Sequence, residues 1–281
     1  MFRFIKYMLY ILSFAFIIYF VYTYGSFYLL DFTERPRHPD YQLLKPGGLL
    51  SHGLGIIGSN MMVLLLLYSI RKRTRIFGKL GAIRRWLDIH IFLGTIGPLL
   101  VILHSTFKLN GIVSISFWSM ILVALSGFFG RYLYIQIPRS IRGQELSRDE
   151  ILQQRNDLEN KLTTTYKLDQ KEIEHLEEAV TGASKNSFFG MIFADLFRFI
   201  RLFAIERQLK RRKKIPKKNV KELMKLLKQK ALLERRIALL ARVHKLFHAW
   251  HVFHKPFAVI MYLIMFVHIG ISWWLGYGLA F

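Results

Sequence analysis

The sequence predicts an all-α integral membrane protein: a five-helix transmembrane bundle, six if one further apolar segment crosses, with a basic cytoplasmic helical insertion. Three observations predict it. Of 281 residues, 53% are hydrophobic and the mean hydropathy is +0.28, the range of membrane chains. Apolar stretches at about 7–29, 51–70, 88–107, 112–134 and 251–275 each approach the ~20 residues a helix needs to cross hydrocarbon. The net charge of +23 is concentrated between these stretches.

The first stretch follows Arg3 and Lys6. No small-residue cleavage site follows it, so a retained anchor helix is expected rather than a removed signal. The loop DFTERPRHPDYQLLKPGG then carries three basic residues (Arg35, Arg37, Lys45) and three acidic ones. After the second stretch, RKRTRIFGKLGAIRR holds seven basic residues (Arg71, Lys72, Arg73, Arg75, Lys79, Arg84, Arg85) and no acid. The third and fourth stretches are joined by the short turn FKLNG at 107–111. Residues 135–250 contain 26 Lys/Arg against 14 Asp/Glu, a difference of +12. The positive-inside rule then places the N-terminus in the cytoplasm, 31–50 outside, 71–87 inside, 107–111 outside, 135–250 inside and the C-terminus outside. The expected divisions are 1–134 (four membrane helices), 135–249 (helical insertion) and 250–281 (the fifth membrane helix).

Within the insertion, 147–182 reads as soluble helix. Ser147 with Glu150, and Asp169 with Glu172, fit capping boxes, and Gly182 fits a stop. FFGMIFADLFRFIRLFAI (188–205) is apolar enough to cross. However, Asp195, Arg198 and Arg201 fall three apart on one broad face, which favours a helix lying in the membrane interface. RQLKRRKKIPKK (207–218) is a dense basic turn, and from about 217 an amphipathic helix runs on into the fifth stretch. This charge suits anionic lipid or an acidic protein partner. No nucleic-acid recognition motif accompanies it, and none is expected to bind. There is no cysteine, so disulfides, thiolate metal sites and iron–sulfur clusters are excluded from this chain.

Two histidine pairs stand out. His90 and His104 lie in WLDIHIFLGTIGPLLVILHS, His254 and His268 in FHKPFAVIMYLIMFVHI, each pair fourteen residues apart. Fourteen residues are four helical turns less about 40°, so both rings of a pair face nearly the same way, about 21 Å apart along the axis. Ionisable side chains within a membrane are costly and mark functional sites. The topology makes the third and fifth spans parallel, which matches His90 with His254 and His104 with His268 in depth. Two stacked haems, each held by one imidazole from each helix, account for this pattern. Such iron is six-coordinate and carries electrons rather than oxygen. Glycines flank these positions (Gly94 and Gly97 in the third span, Gly127 and Gly130 in the fourth, Gly53, Gly55 and Gly58 in the second). They allow close helix packing or admit a ring face.

The third and fifth stretches resemble the ligand helices of dihaem membrane cytochromes b. That class includes ferric-reductase-like and NADPH-oxidase-like membrane domains and the cytochrome b of quinol-oxidising complexes. WHVFHKPFA (250–258) is similar to the ligand region of such proteins. The resemblance covers about 86–134 and 247–270, under a third of the chain. It implies two haem b groups on His90, His104, His254 and His268, and transmembrane electron transfer. The sequence departs from the reductases in having no G-x-G-x-x-G after a strand and no P-loop. Electrons are therefore expected from a ferredoxin-like or flavoprotein donor or a quinol, and to leave toward a periplasmic acceptor, in a bacterial inner membrane. The alternative is a haem-free transporter or scaffold whose histidines are structural or carry protons.

Other residues complete the set. His251 is the alternative to His254, one turn away, although the fourteen-residue interval favours His254. His244, His248 and His251 share overlapping faces and allow a metal site, with no matching carboxylate cluster. Arg84, Arg85, Arg131 and Lys255 are candidates for haem propionates. His52, with Ser51 and Asn60, and Asp88 are candidates for a quinone pocket. For Asp88, a pair with Arg84 or Arg85 is the favoured reading.

Overall fold

Five of the apolar runs form helices long and apolar enough to cross a membrane. A computed structural model describes residues 2–74, 80–138, 148–166, 168–181, 202–207 and 219–276. The elements are α1 (Phe2–Leu29), a 3-10 turn Arg35–Arg37, α2 (Tyr41–Leu44), α3 (Leu49–Arg73), α4 (Ile83–Ser105), α5 (Ile112–Gln136), α6 (Arg148–Tyr166), α7 (Gln170–Thr181) and α8 (Val220–Trp274). No strand occurs among the described residues. The protein is an all-α integral membrane protein, as the sequence predicts. The helices outrun the apolar stretches at several ends. Helical hydrogen bonding continues past the apolar stretch of α3, whose last turn holds Arg71, Lys72 and Arg73.

The chain forms two compact units, Met1–Arg131 with Ala249–Phe281, and Tyr132–His248. In the first, α3 and α4 pack closely and antiparallel. Gly58 and Gly97 face each other: a Cβ on Gly58 would stand 2.8 Å from Val101 Cγ2 and 3.1 Å from the Gly97 carbonyl. Small residues at such a crossing let backbones approach. Phe20 and Phe27 of α1 pack on Leu54, Ile96, Leu100 and Leu103. Met261 of α8 joins Met62, Leu65, Phe117 and Met120. Two hydrogen bonds fix this last contact, Tyr262 Oη to the Met62 carbonyl (2.6 Å) and Ser116 Oγ to the Met261 carbonyl (2.9 Å). The opposite faces are apolar and exposed: Ile11, Ile18 and Leu263 are 68%, 66% and 63% accessible. A continuous exposed apolar surface of this kind suits lipid rather than water.

The C-terminal end of α4 is unusual. Thr106 and Phe107 both have positive φ (47° and 60°) without being glycine. Each such residue costs on the order of 1 kcal/mol or more and persists only where neighbours hold it. Tyr28 Oη donates to the Leu103 carbonyl (2.9 Å), Ser51 Oγ to His104 (2.9 Å) and Arg35 Nη1 to Thr106 (2.5 Å). Carbonyls that helix ends leave without partners are thus satisfied from α1, α3 and the loop between them.

The second unit is built on Leu162, Ile173, Leu176, Val180, Val220, Leu223 and Leu227. The predicted 147–182 helix is two helices, α6 and α7, with residues 168 and 169 lying outside both and residue 167 outside the described residues. Asp169 explains the break: its Oδ1 accepts from Gln170 N (2.7 Å), and Glu172 Oε2 accepts from Asp169 N (3.4 Å). This is the return half of a capping box. Ser147 and Gly182 lie outside the described residues, as do 188–201 of the proposed interfacial helix and the basic turn from 208 to 218. The end of the interfacial segment, 202–205, is helical, with Ile205 buried in the core of this unit beside Leu202.

Lys230 is 3% accessible at its side chain and bridges Glu177 (2.5 Å) and Glu159 (3.6 Å). Burial raises the Glu177 pKa above its ordinary 4.5, partly offset by Lys230. Between the ordinary and raised values the folded unit holds a proton that the unfolded chain releases, so stability falls as pH rises through that window. Relative to wild type, Glu177→Gln should therefore gain thermal stability as pH rises from 4.5. Thermal unfolding of the full chain in detergent measures this, and a difference constant with pH would contradict it. Packing gives a second expectation. Gly58→Leu should cost about 1–3 kcal/mol through overpacking and lower the unfolding midpoint. Gly53→Ala, whose Cβ meets nothing within 4 Å, should leave that midpoint unchanged or slightly higher.

Candidate functional site

The four spaced histidines lie in the membrane unit, two on α4 and two on α8. His90 and His254 are electrostatic neighbours, and so are His104 and His268. The structure therefore brings together the pairs that matched depth predicts.

Hydrogen bonds hold Nδ1 of three rings. His90 Nδ1 lies 3.3 Å from the Leu65 carbonyl, and His104 Nδ1 lies 2.8 Å from the Ser51 carbonyl. A carbonyl only accepts, so each Nδ1 carries the hydrogen. His254 Nδ1 lies 2.7 Å from Ser126 Oγ, whose own hydrogen goes to the Val123 carbonyl at 2.9 Å. With its hydrogen on Val123, Ser126 Oγ offers a lone pair to His254 Nδ1. In a neutral imidazole this leaves Nε2 with its lone pair, the arrangement used by a metal-ligating histidine. The two α3 acceptors, Ser51 and Leu65, are themselves fourteen residues apart. An antiparallel neighbour with the same repeat meets both α4 rings.

Local sequence makes these contacts accessible. The carbonyl of residue i in a helix lies beside the side chain of i+4. Four residues beyond Ser51 stands Gly55, and a Cβ there would fall 2.6 Å from His104 Nδ1. Ser69, also small, follows Leu65 by the same interval. His90 also rests against Tyr68 (ring centroids 5.0 Å apart), and His254 against Trp250 (4.7 Å). The Trp250 indole packs directly on Gly130, where no Cβ fits.

The donor set is of the kind that haem iron takes: four imidazoles in two neighbouring pairs, with Nδ1 of His90 and His104 held by carbonyls. Gly127, next to Ser126, has no atom within 4 Å of where a Cβ would stand, which leaves room for a flat ring. His251 stacks edge-on against Trp250 (4.5 Å) and is an electrostatic neighbour of His254. Among the described residues no group of three His, Cys, Asp or Glu side chains gathers to hold a metal ion.

Asp88 departs from the sequence expectation. Its Oδ1 lies 3.6 Å from Lys6 Nζ and 3.8 Å from Arg131 Nη2, rather than pairing with Arg84 or Arg85. The carboxylate points into the bundle, where α1 and α5 each supply a cation that sequence separation conceals. Arg131 is thereby engaged with Asp88, and Arg85 lies over the Phe2 ring (5.8 Å). Lys255 is exposed. The quinone residues are not gathered. His52 starts α3 beside His104, whereas Asp88 lies at the opposite end of the antiparallel pair, near His90. Ser51 is buried on the His104 carbonyl, and Asn60 is exposed, donating to Ile56 of its own helix (2.9 Å). Sequence reasoning missed Ser126 because its hydroxyl is one of four serines in α5.

Comparison with family models, with curated proteins and with solved structures finds no match. The functional reading therefore rests on the chain's own residues.

The hydrogen-bond network predicts a spectrum. In wild-type protein with ¹⁵N-labelled histidine, His90, His104 and His254 should show Nδ1-protonated rings. Ser126→Ala should change the His254 signal and leave the other two. An Nε2-protonated pattern in the wild type would contradict the network.

Proposed function

We propose that this chain is a dihaem membrane cytochrome b, in which His90 and His254 would hold one haem iron and His104 and His268 the other. The observation that carries the proposal is the pairing of two equal fourteen-residue repeats with Nδ1 committed to hydrogen bonds in three rings. Held by these imidazoles, two haem b groups would supply reversible one-electron transfer across the bilayer.

The chain's residues suit that task. Two imidazoles per iron would suit electron transfer rather than ligand binding. Hydrogen bonds from Nδ1 orient the rings and raise their basicity as ligands. Arg84, Arg85 and Lys255 supply cations for propionates near His90 and His254, while Arg131 balances Asp88. The charge distribution supports a cytoplasmic N-terminus and an outer C-terminus, as in a bacterial inner membrane. With that orientation the His90–His254 pair is on the cytoplasmic side. The basic insertion suits lipid head groups and an acidic donor such as a ferredoxin-like protein or flavoprotein, or a membrane quinol serves instead. Electrons leave from the His104–His268 side toward a periplasmic acceptor.

A pyridine haemochrome assay on the purified chain tests the proposal. Two haems per chain are expected. His104→Ala and His268→Ala should each remove about half, with the b-type α-band retained by the remainder. Full occupancy in both variants would overturn the assignment. A colourless wild type from haem-replete cells would favour a haem-free transporter or scaffold.

A further inference from the structure

Arg35 is a loop residue only 6% accessible; among the described residues Lys230 and Arg235 are the other buried bases. Its guanidinium is satisfied almost entirely by backbone. Nη1 donates to the Thr106 carbonyl (2.5 Å), Nε to Leu30 (3.1 Å) and Nη2 to Tyr28 (3.2 Å). The plane lies over Phe32 at 4.3 Å and Phe27 at 5.2 Å from the ring centroids. Asp31 and Tyr28 are its electrostatic neighbours. A buried cation with this many directed contacts, none of them a hydrogen bond to a carboxylate, is an expensive way to close a loop.

What the contacts hold is the end of α4. Thr106 is 2% accessible, and it and Phe107 are the consecutive left-handed residues that terminate the helix. His104 lies two residues earlier, its own carbonyl fixed by Ser51 and the preceding carbonyl by Tyr28. Arg35 supplies the third of these three locks, and the only charged one.

We infer that Arg35 is a positioning residue for the His104–His268 pair: it fixes the helix end that carries His104 and brings a buried positive charge to the Thr106 carbonyl, two residues along the chain from that histidine. The inference rests on the dihaem reading. A cation near a redox centre favours the reduced form, because the oxidised form carries one more positive charge. Lysine keeps the charge without the planar fork that reaches three carbonyls, whereas glutamine loses the charge.

The test uses the full chain in detergent, with redox titration of both haems and hydrogen exchange of the 103–109 amides. Arg35→Gln should lower one of the two reduction equilibrium constants about tenfold, about 59 mV for a one-electron couple, and leave the other unmoved. Arg35→Lys should keep both potentials near wild type while exchange at 103–109 quickens. Two unmoved potentials in a dihaem Arg35→Gln protein, or equal shifts in both, overturn the charge role. Unchanged exchange in Arg35→Lys overturns the positioning role, and stands as the deciding result if Arg35→Gln fails to accumulate. A wild type without haem refutes the dihaem reading instead, and the exchange measurement still decides whether Arg35 fixes the helix end.

Discussion

A ring N–H buried in a membrane must find an acceptor, and here that requirement decides the rest. His90 and His104 give their Nδ1 hydrogens to carbonyls of α3, and His254 Nδ1 is hydrogen-bonded to Ser126 Oγ of α5. Each bond selects a tautomer and a ring orientation at once. The second nitrogen is then left as a lone pair within the bundle. Were those acceptors displaced by one residue, a 100° turn of the helix would carry them off the facing surface.

Helix α3 acts as the template for this arrangement. It contributes no histidine to the paired set, yet its carbonyls at Ser51 and Leu65 repeat the interval between His90 and His104. Gly55 opens the first acceptor to the incoming ring, and Gly58 against Gly97 lets the two backbones close. Residues that look like packing glycines thus set the depth of the imidazoles. The end of α4 is held just as firmly, by side chains from three directions against two strained residues. Rigid supports of this kind keep a constellation within the tolerance that ligand geometry demands.

Much of this was legible in the sequence. Apolar length set the five membrane helices, because hydrocarbon thickness fixes the residues needed to cross it. The charge-derived order of the spans matched His90 with His254 and His104 with His268 in depth, and these are the electrostatic neighbours of the structure. What escaped depends on tertiary contact. Asp88 has basic residues three and four positions before it, the usual helical partners, yet it pairs with Lys6 and Arg131, 82 and 43 residues away. The Nδ1 acceptors are mostly backbone, and a carbonyl has no letter in a sequence; only the small residue four places on marks it. Arg35 reads as one loop cation among several, since nothing local says that its guanidinium turns inward. Ser51 and Asn60 look like pocket polarity until their hydrogen bonds are seen to be spent within the helices.

Low-temperature electron paramagnetic resonance of the oxidised, purified full chain tests the central claim most directly. The account predicts two low-spin ferric signals of bis-imidazole type, one of them lost in His104→Ala and the other in His90→Ala. A high-spin signal with an open axial position in the wild type, or no iron signal from protein made in haem-replete cells, would contradict it.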